Sequence, residues 1–138
     1  MADPLSIAAS CAGLLSLAIQ VIQTGYATVH SIKDFGDDIR KIMREVSQLT
    51  GLLTAMEPLF DCNFSRSYGS LLRREDLDLC KATLEEVKLL FEKSTPKDGH
   101  FLSNTQKRLL WDLRKTPLSN ALRDHKMTFT LVLSSNSM

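Results

Sequence analysis

Between Pro4 and Ile32 this chain has no Lys, Arg, Asp or Glu. Asp3 is the only charged side chain before Lys33, so all 17 basic residues lie from Lys33 onward. A charge-free helical stretch of that length belongs in a protein core or in a lipid bilayer. Other absences narrow the chemistry. Cys11, Cys62 and Cys80 make an odd count without a CxxC, so neither a disulfide framework nor a zinc site is indicated. The six glycines are scattered singly, which leaves no phosphate-cradling loop. There is no HExxH, and His30, His100 and His125 have no His or Cys three or four residues on. Glu85-Glu86 reads as an exposed helix face rather than a catalytic pair. No reaction-specific constellation remains, and the expectation is a non-enzyme with no catalytic residue, no cofactor, no metal and no small-molecule substrate. Arg73-Arg74 and Lys107-Arg108 are short pairs without interleaved aromatics, so nucleic acid is not an expected partner.

The 138 residues fit one domain, and 43% hydrophobic with 24% charged residues is a globular composition. The net charge of +1 gives no global pull toward polyanions. From Lys107 onward six basic residues face only Asp112 and Asp124. That surplus is either a solvated helix face or a contact for anionic lipid, at about 1 kcal/mol per well-placed charge. Asp3, with no base beside it, argues against a secretory signal, and Ala2 in place of glycine excludes N-myristoylation. Cys11 and Cys80 read as small core residues of a reducing, cytoplasmic compartment.

Helix periodicity runs through most of the chain. Pro4 after Asp3 is a helix start. Leu5, Ala8, Ala12, Leu15, Ile19, Ile22, Tyr26 and Val29 follow a 3-4-3-4 spacing. A second row, Ile7, Cys11, Leu14, Ala18 and Val21, lies beside it. The helix is therefore apolar around most of its circumference, with Ser6, Ser10, Gly13, Gln20, Gln23 and Thr24 on a narrow remainder. Gly36 and its flanking acids start a second helix, with the stripe Ile39, Ile42, Val46, Leu49, Leu53, Met56 and Phe60, stopped or bent by Pro58. Residues 61–74 lack periodicity and read as a loop. A third helix starts near Glu75-Asp76 and buries Leu77, Cys80, Leu84, Val87 and Phe91, ending before Pro96. A fourth begins around Phe101 to Asn104 with Leu102, Leu109, Leu110 and Leu113, is interrupted near Thr116-Pro117, and resumes with Leu118, Leu122, His125, Phe129 and Val132. Met127 to Leu133 could also pair as a strand, but no partner strand is visible. The fold expected is all-α, an up-down four-helix bundle with a long apolar N-terminal helix and a Pro-kinked last helix. It spans residues 1–133 as a single domain, with 134–138 a disordered tail.

The opening run MADPLSIAAS, continued by CAGLLSLA to Ala18, resembles the start of fungal signal-transducing NTPase (NLR-like) receptors and their ankyrin-repeat relatives. It is similar to their N-terminal domain, related to HeLo-like cell-death domains. Leu109, Leu110 and Trp111, followed by Pro117-Leu118 and the run from Leu122 to Leu133, are similar to that family's final helix. The resemblance implies an all-helical effector in fungal innate immunity or programmed cell death, in which oligomerisation drives the first helix to a membrane. Two departures stand out: only Gly13 and Gly25 occur where some members carry a glycine zipper, and nothing here resembles an NTPase or a repeat array.

Three roles for the first helix stay open: buried bundle helix, conditional membrane element, or permanent anchor. Gln20, Gln23 and Thr24 make insertion marginal. Ala9 and Gly13, with Ala8 and Ala12 beside them, form small-xxx-small spacings suited to close helix approach in lipid or within the bundle. Leu5, Ala8, Ala9, Ala12, Gly13, Leu15, Ile19 and Ile22 are thus the candidate membrane or oligomerisation residues. Trp111 and Pro117 are structural candidates, Trp111 as a core cap or an interfacial anchor. The expected partners are a second copy or a helical protein domain, with conditional recruitment from cytoplasm to plasma membrane. The alternative is an interaction adaptor or scaffold with no membrane step.

Overall fold

The computed structural model describes residues 4–31, 36–57, 72–94 and 104–136. They form four helices: α1 (Pro4–Ser31), α2 (Gly36–Met56), α3 (Arg74–Ser94) and α4 (Asn104–Asn136). Asp3, Phe60 and nearly all of the expected 61–74 loop lie outside the described residues, as do 95–103 and 137–138. Side chains are described from Ala9 in α1 and from Gln106 in α4.

The helices occupy the corners of a square. α1 packs on α2 and α3, and α4 packs on the same two, so α1 and α4 face each other across the diagonal. Side-chain pairs give the directions. Gly25 of α1 opposes Met43 of α2, and Cys11 to Ile19 border Leu53 and Glu57, an antiparallel pair. Gln20 meets Lys88 and Thr28 meets Phe91, so α1 and α3 run parallel. Ser94 meets Trp111 and Thr83 meets His125, which makes α3 and α4 antiparallel. The chain goes up, down, up, down, and the α2–α3 connection joins diagonal corners.

Each inner stripe forms the core by ordinary helical spacing. Ile39, Ile42, Val46, Leu49, Leu53 and Met56 of α2 are buried, as are Leu77, Cys80, Leu84, Val87 and Phe91 of α3. α3 is capped by Asp76, whose carboxylate accepts the Arg73 backbone N–H at 3.2 Å while its own N–H donates to the Arg73 carbonyl at 3.0 Å. Leu72, just before this cap, is buried and ties the incoming chain to the core.

The structure settles which row of α1 faces inward and corrects two expectations in α4, its inward stripe and its end. In α1 the row facing the core is Cys11, Leu14, Ala18 and Val21, continued by Gly25 and Thr28. The longer row lies on the flank: Leu15, Ile22 and Val29 are partly buried, while Ala12, Ile19 and Tyr26 are exposed. The reason is room. A Cβ on Gly25 would come within 2.6 Å of Met43 Sδ and 3.0 Å of Phe91 Cε2, so only small side chains fit at this crossing. In α4 the inward positions before Pro117 are Lys107 and Trp111, whereas Leu109 and Leu113 are exposed. Trp111 is in register with Leu118 and Leu122, and a single helix cannot turn both it and Leu109 inward. α4 is a single helix that carries Pro117 inside it, as expected of the last helix. The proline lies on the exposed side, where its missing N–H and the freed Leu113 carbonyl can be met by water. α4 also continues to Asn136, through the stretch weighed as a strand and into the expected tail.

Candidate interaction surface

α1 differs from its neighbours on the side turned to solvent. The outer faces of α2, α3 and α4 carry charged residues such as Arg40, Lys41, Arg44, Glu85, Glu86, Arg108 and Arg114. The outer face of α1 carries Ala9, Ala12, Gly13, Ser16, Ile19, Gln20, Gln23, Tyr26 and Ala27. Ile19 is 44% and Tyr26 60% exposed. Ala9–His30 is long and apolar enough to cross a membrane, and only 28% of its most apolar window is buried. The helix is thus shielded by α2 and α3 on one side and exposed on the other.

Of the residues singled out on α1, Ala9, Ala12, Gly13 and Ile19 share this outward face, and Leu15 and Ile22 sit at its margins. Leu5 and Ala8 belong to the first turns of α1, and their side chains lie outside the described residues. Gly13 opens to space, with nothing within 4 Å of a Cβ there. Beside it, Ala12, Leu15, Ser16 and Ile19 border a groove of about 420 Å³ against Leu53 and Glu57.

Trp111 is held elsewhere. Its ring is fully buried, stacked on Phe91 with centroids 6.1 Å apart at 20°. Its indole N–H donates to Ser94 Oγ at 2.7 Å, and that hydroxyl donates to the Leu90 carbonyl at 2.8 Å. A residue with both its ring and its polar atom enclosed this way is a core cap and not an interfacial anchor.

A second exposed apolar site lies between α2 and α4. Gly51, Leu52, Met127, Thr130 and Leu131 line a groove of about 860 Å³, with Gln48, Arg123 and Lys126 at its edge. Met127 is 65% and Leu131 64% exposed. Lys126 is fixed by Glu45 at 2.6 Å and donates to Gln48 Oε1 at 2.5 Å. Sequence reading missed this site because Met127 and Leu131 fall outside the inward stripe. Their i, i+4 spacing on the side away from Phe129 was the available signal.

Among the described residues, burial sets the state of the titratable side chains below. Burial pushes the Cys11 thiol up to about 12, and burial together with Cys11 does the same to Cys80. Thiols held protonated in this way are inert as nucleophiles. His125 is half-buried, and burial lowers its pKa against the opposing pull of Asp124 and Asp76. Thr83 Oγ1 donates to the Leu79 carbonyl at 3.1 Å, so it accepts from His125 Nε2–H at 2.8 Å. Among the described residues no group of three His, Cys, Asp or Glu could hold a metal ion.

The comparison with family models decides the relationship. Residues 2–138 match the model of the N-terminal region of the pigment biosynthesis cluster protein PigL. The chain belongs to the PigL N-terminal family. The match spans all four helices, so the family corresponds to the bundle itself. No curated protein and no solved structure matches the chain.

Proposed function

We propose that this PigL-type domain is a non-enzymatic signalling domain of the programmed-cell-death kind, in which self-association turns α1 from a bundle helix into a membrane element. The reading rests on α1, a helix without Lys, Arg, Asp or Glu whose outer face is uncovered. A charge-free outer face does not help a bundle that merely stays in water, whereas a helix that changes solvent requires one. The HeLo-like opening of the sequence points the same way. At rest the helix stays docked, because burial of Leu14 and Val21 stabilises it by about 1.5–3 kcal/mol each. Assembly and lipid must together offset that loss. The domain then rests in the cytoplasm and reaches the plasma membrane on activation.

The test is dye release from anionic liposomes by the full chain fused to a trimerising coiled coil. The fused trimer is expected to release dye, and the unfused chain at concentrations where it is monomeric is not. Ile19→Glu, on the exposed face, is expected to leave the helical signal intact and stop the release. Trimers that leave liposomes intact would end the membrane reading.

A second reading, an adaptor with no lipid step, is favoured by Gln20, Gln23 and Ser16 on the same face, which weaken insertion. It predicts a helical partner bound to α1 and no leakage.

A further inference from the structure

The groove between α2 and α4 has an apolar floor with exposed Arg123 at its edge, while Lys126 beside it is already paired with Glu45. Among the described residues, Arg123 and Lys126 are the ionisable side chains that line it. Gly51 leaves its wall open, since a Cβ there would meet nothing within 4 Å. What fits is a helix with one or two exposed leucines flanked by carboxylates.

The molecule carries such a helix. On the outward ridge of α3, Asp78, Leu79, Ala82, Glu85, Glu86 and Leu89 are all exposed at helical spacing, with exposed Lys93 ending the row. Lys81 lies toward α1, one heptad before Lys88, which bonds Gln20 of α1 at 3.2 Å. Within the described residues α3 has six acids against four bases, and α4 has six bases against two acids. The ridge and the groove sit on different corners of the square, so a molecule cannot seat its own ridge in its own groove.

We propose that the α2–α4 groove binds the α3 ridge of a second copy of this chain. The contact is heterologous, head to tail, and leaves a free groove at one end and a free ridge at the other. It therefore extends into open chains or closes into a ring, and it does not stop at a two-fold dimer. Carboxylates against exposed Arg123 make it salt-sensitive. This inference rests on the self-association in the proposed function and supplies its surface.

Sedimentation of the full chain tests it, at low and high salt. The expected result is concentration-dependent assembly that weakens as salt rises. Arg123→Glu places an acid opposite the acidic ridge, and Glu85→Lys with Glu86→Lys places bases opposite the basic groove. Each protein alone is expected to associate at least about tenfold more weakly, from like-charge repulsion. Mixed together they restore assembly, because each groove then faces a ridge of opposite sign. Thr130→Glu, also in the groove, replaces Arg123→Glu if that variant loses helicity. Wild-type assembly that none of these variants alters overturns the groove and leaves self-association standing. A wild type that stays monomeric at every concentration overturns both, while the fused-trimer liposome assay still tests the membrane step.

Discussion

Trp111 and Ser94 lock α4 to α3 through one fully enclosed hydrogen bond, indole Nε1–H to Oγ at 2.7 Å. Ser94 Oγ also donates to the Leu90 carbonyl, so the hydroxyl is used in both directions. Ser94→Ala removes the hydroxyl that this indole N–H donates to. The expected loss is about 1–3 kcal/mol, the cost of removing the partner of a buried donor. Urea unfolding followed by fluorescence of this single tryptophan measures it directly. An unchanged midpoint would mean that water reaches the indole.

The glycines of α1 predict opposite outcomes on one helix. Gly25 faces Met43 and Phe91 with no room for a larger side chain, so Gly25→Val is expected to lower stability by about 1–3 kcal/mol through overpacking. Gly13 faces open space, so Gly13→Ala is expected to raise stability by about 0.5–1 kcal/mol through helix propensity. Thermal unfolding of the two variants separates the faces. Equal effects would mean that α1 is not docked through Gly25.

His125 makes the bundle acid-sensitive at the α3–α4 contact. Burial lowers its pKa below the ordinary 6.5, so the folded state binds fewer protons than the unfolded state. The stability it contributes is present above pH 6.5 and is lost as pH falls through the folded value. The nearby carboxylates of Asp124 and Asp76 oppose the shift and moderate the loss. Urea midpoints between pH 5 and pH 8 should therefore fall less steeply toward acid for His125→Gln than for the native chain. Parallel slopes would show that the imidazole titrates normally.

Much of the bundle was legible from spacing, and the departures have physical causes. The stripes of α2 and α3 could be read because each has one wet side with Arg, Lys or Glu opposite the apolar row. α1 offered no such contrast. With apolar residues on nearly every side, periodicity could not say whether Ile19 or Ala18 faced inward. The answer came from the bulk of Met43 and Phe91 across the interface, which a single helix does not encode. In α4, Lys107 hid the inward register because its charge argued for solvent, although a long aliphatic stem tolerates an inner position. Leu109 and Leu113 supplied a false stripe. The i, i+4 spacing of Met127 and Leu131 marked an exposed apolar pair, but the groove they line depends on the pairing of α2 with α4, which is a long-range fact.

The most direct test of the account asks whether α1 must leave α3 for membranes to leak. Gln20 Oε1 and Lys88 Nζ lie 3.2 Å apart across that interface and both side chains reach solvent. Gln20→Cys and Lys88→Cys, in a Cys62→Ser background, give two accessible thiols, while buried Cys11 and Cys80 stay protonated and unreactive. A reducible bis-maleimide bridge between them pins α1 in place on the trimerised chain. The account predicts that the bridged protein releases no dye from anionic liposomes and that reducing the bridge restores release. Equal release with the bridge intact would contradict it.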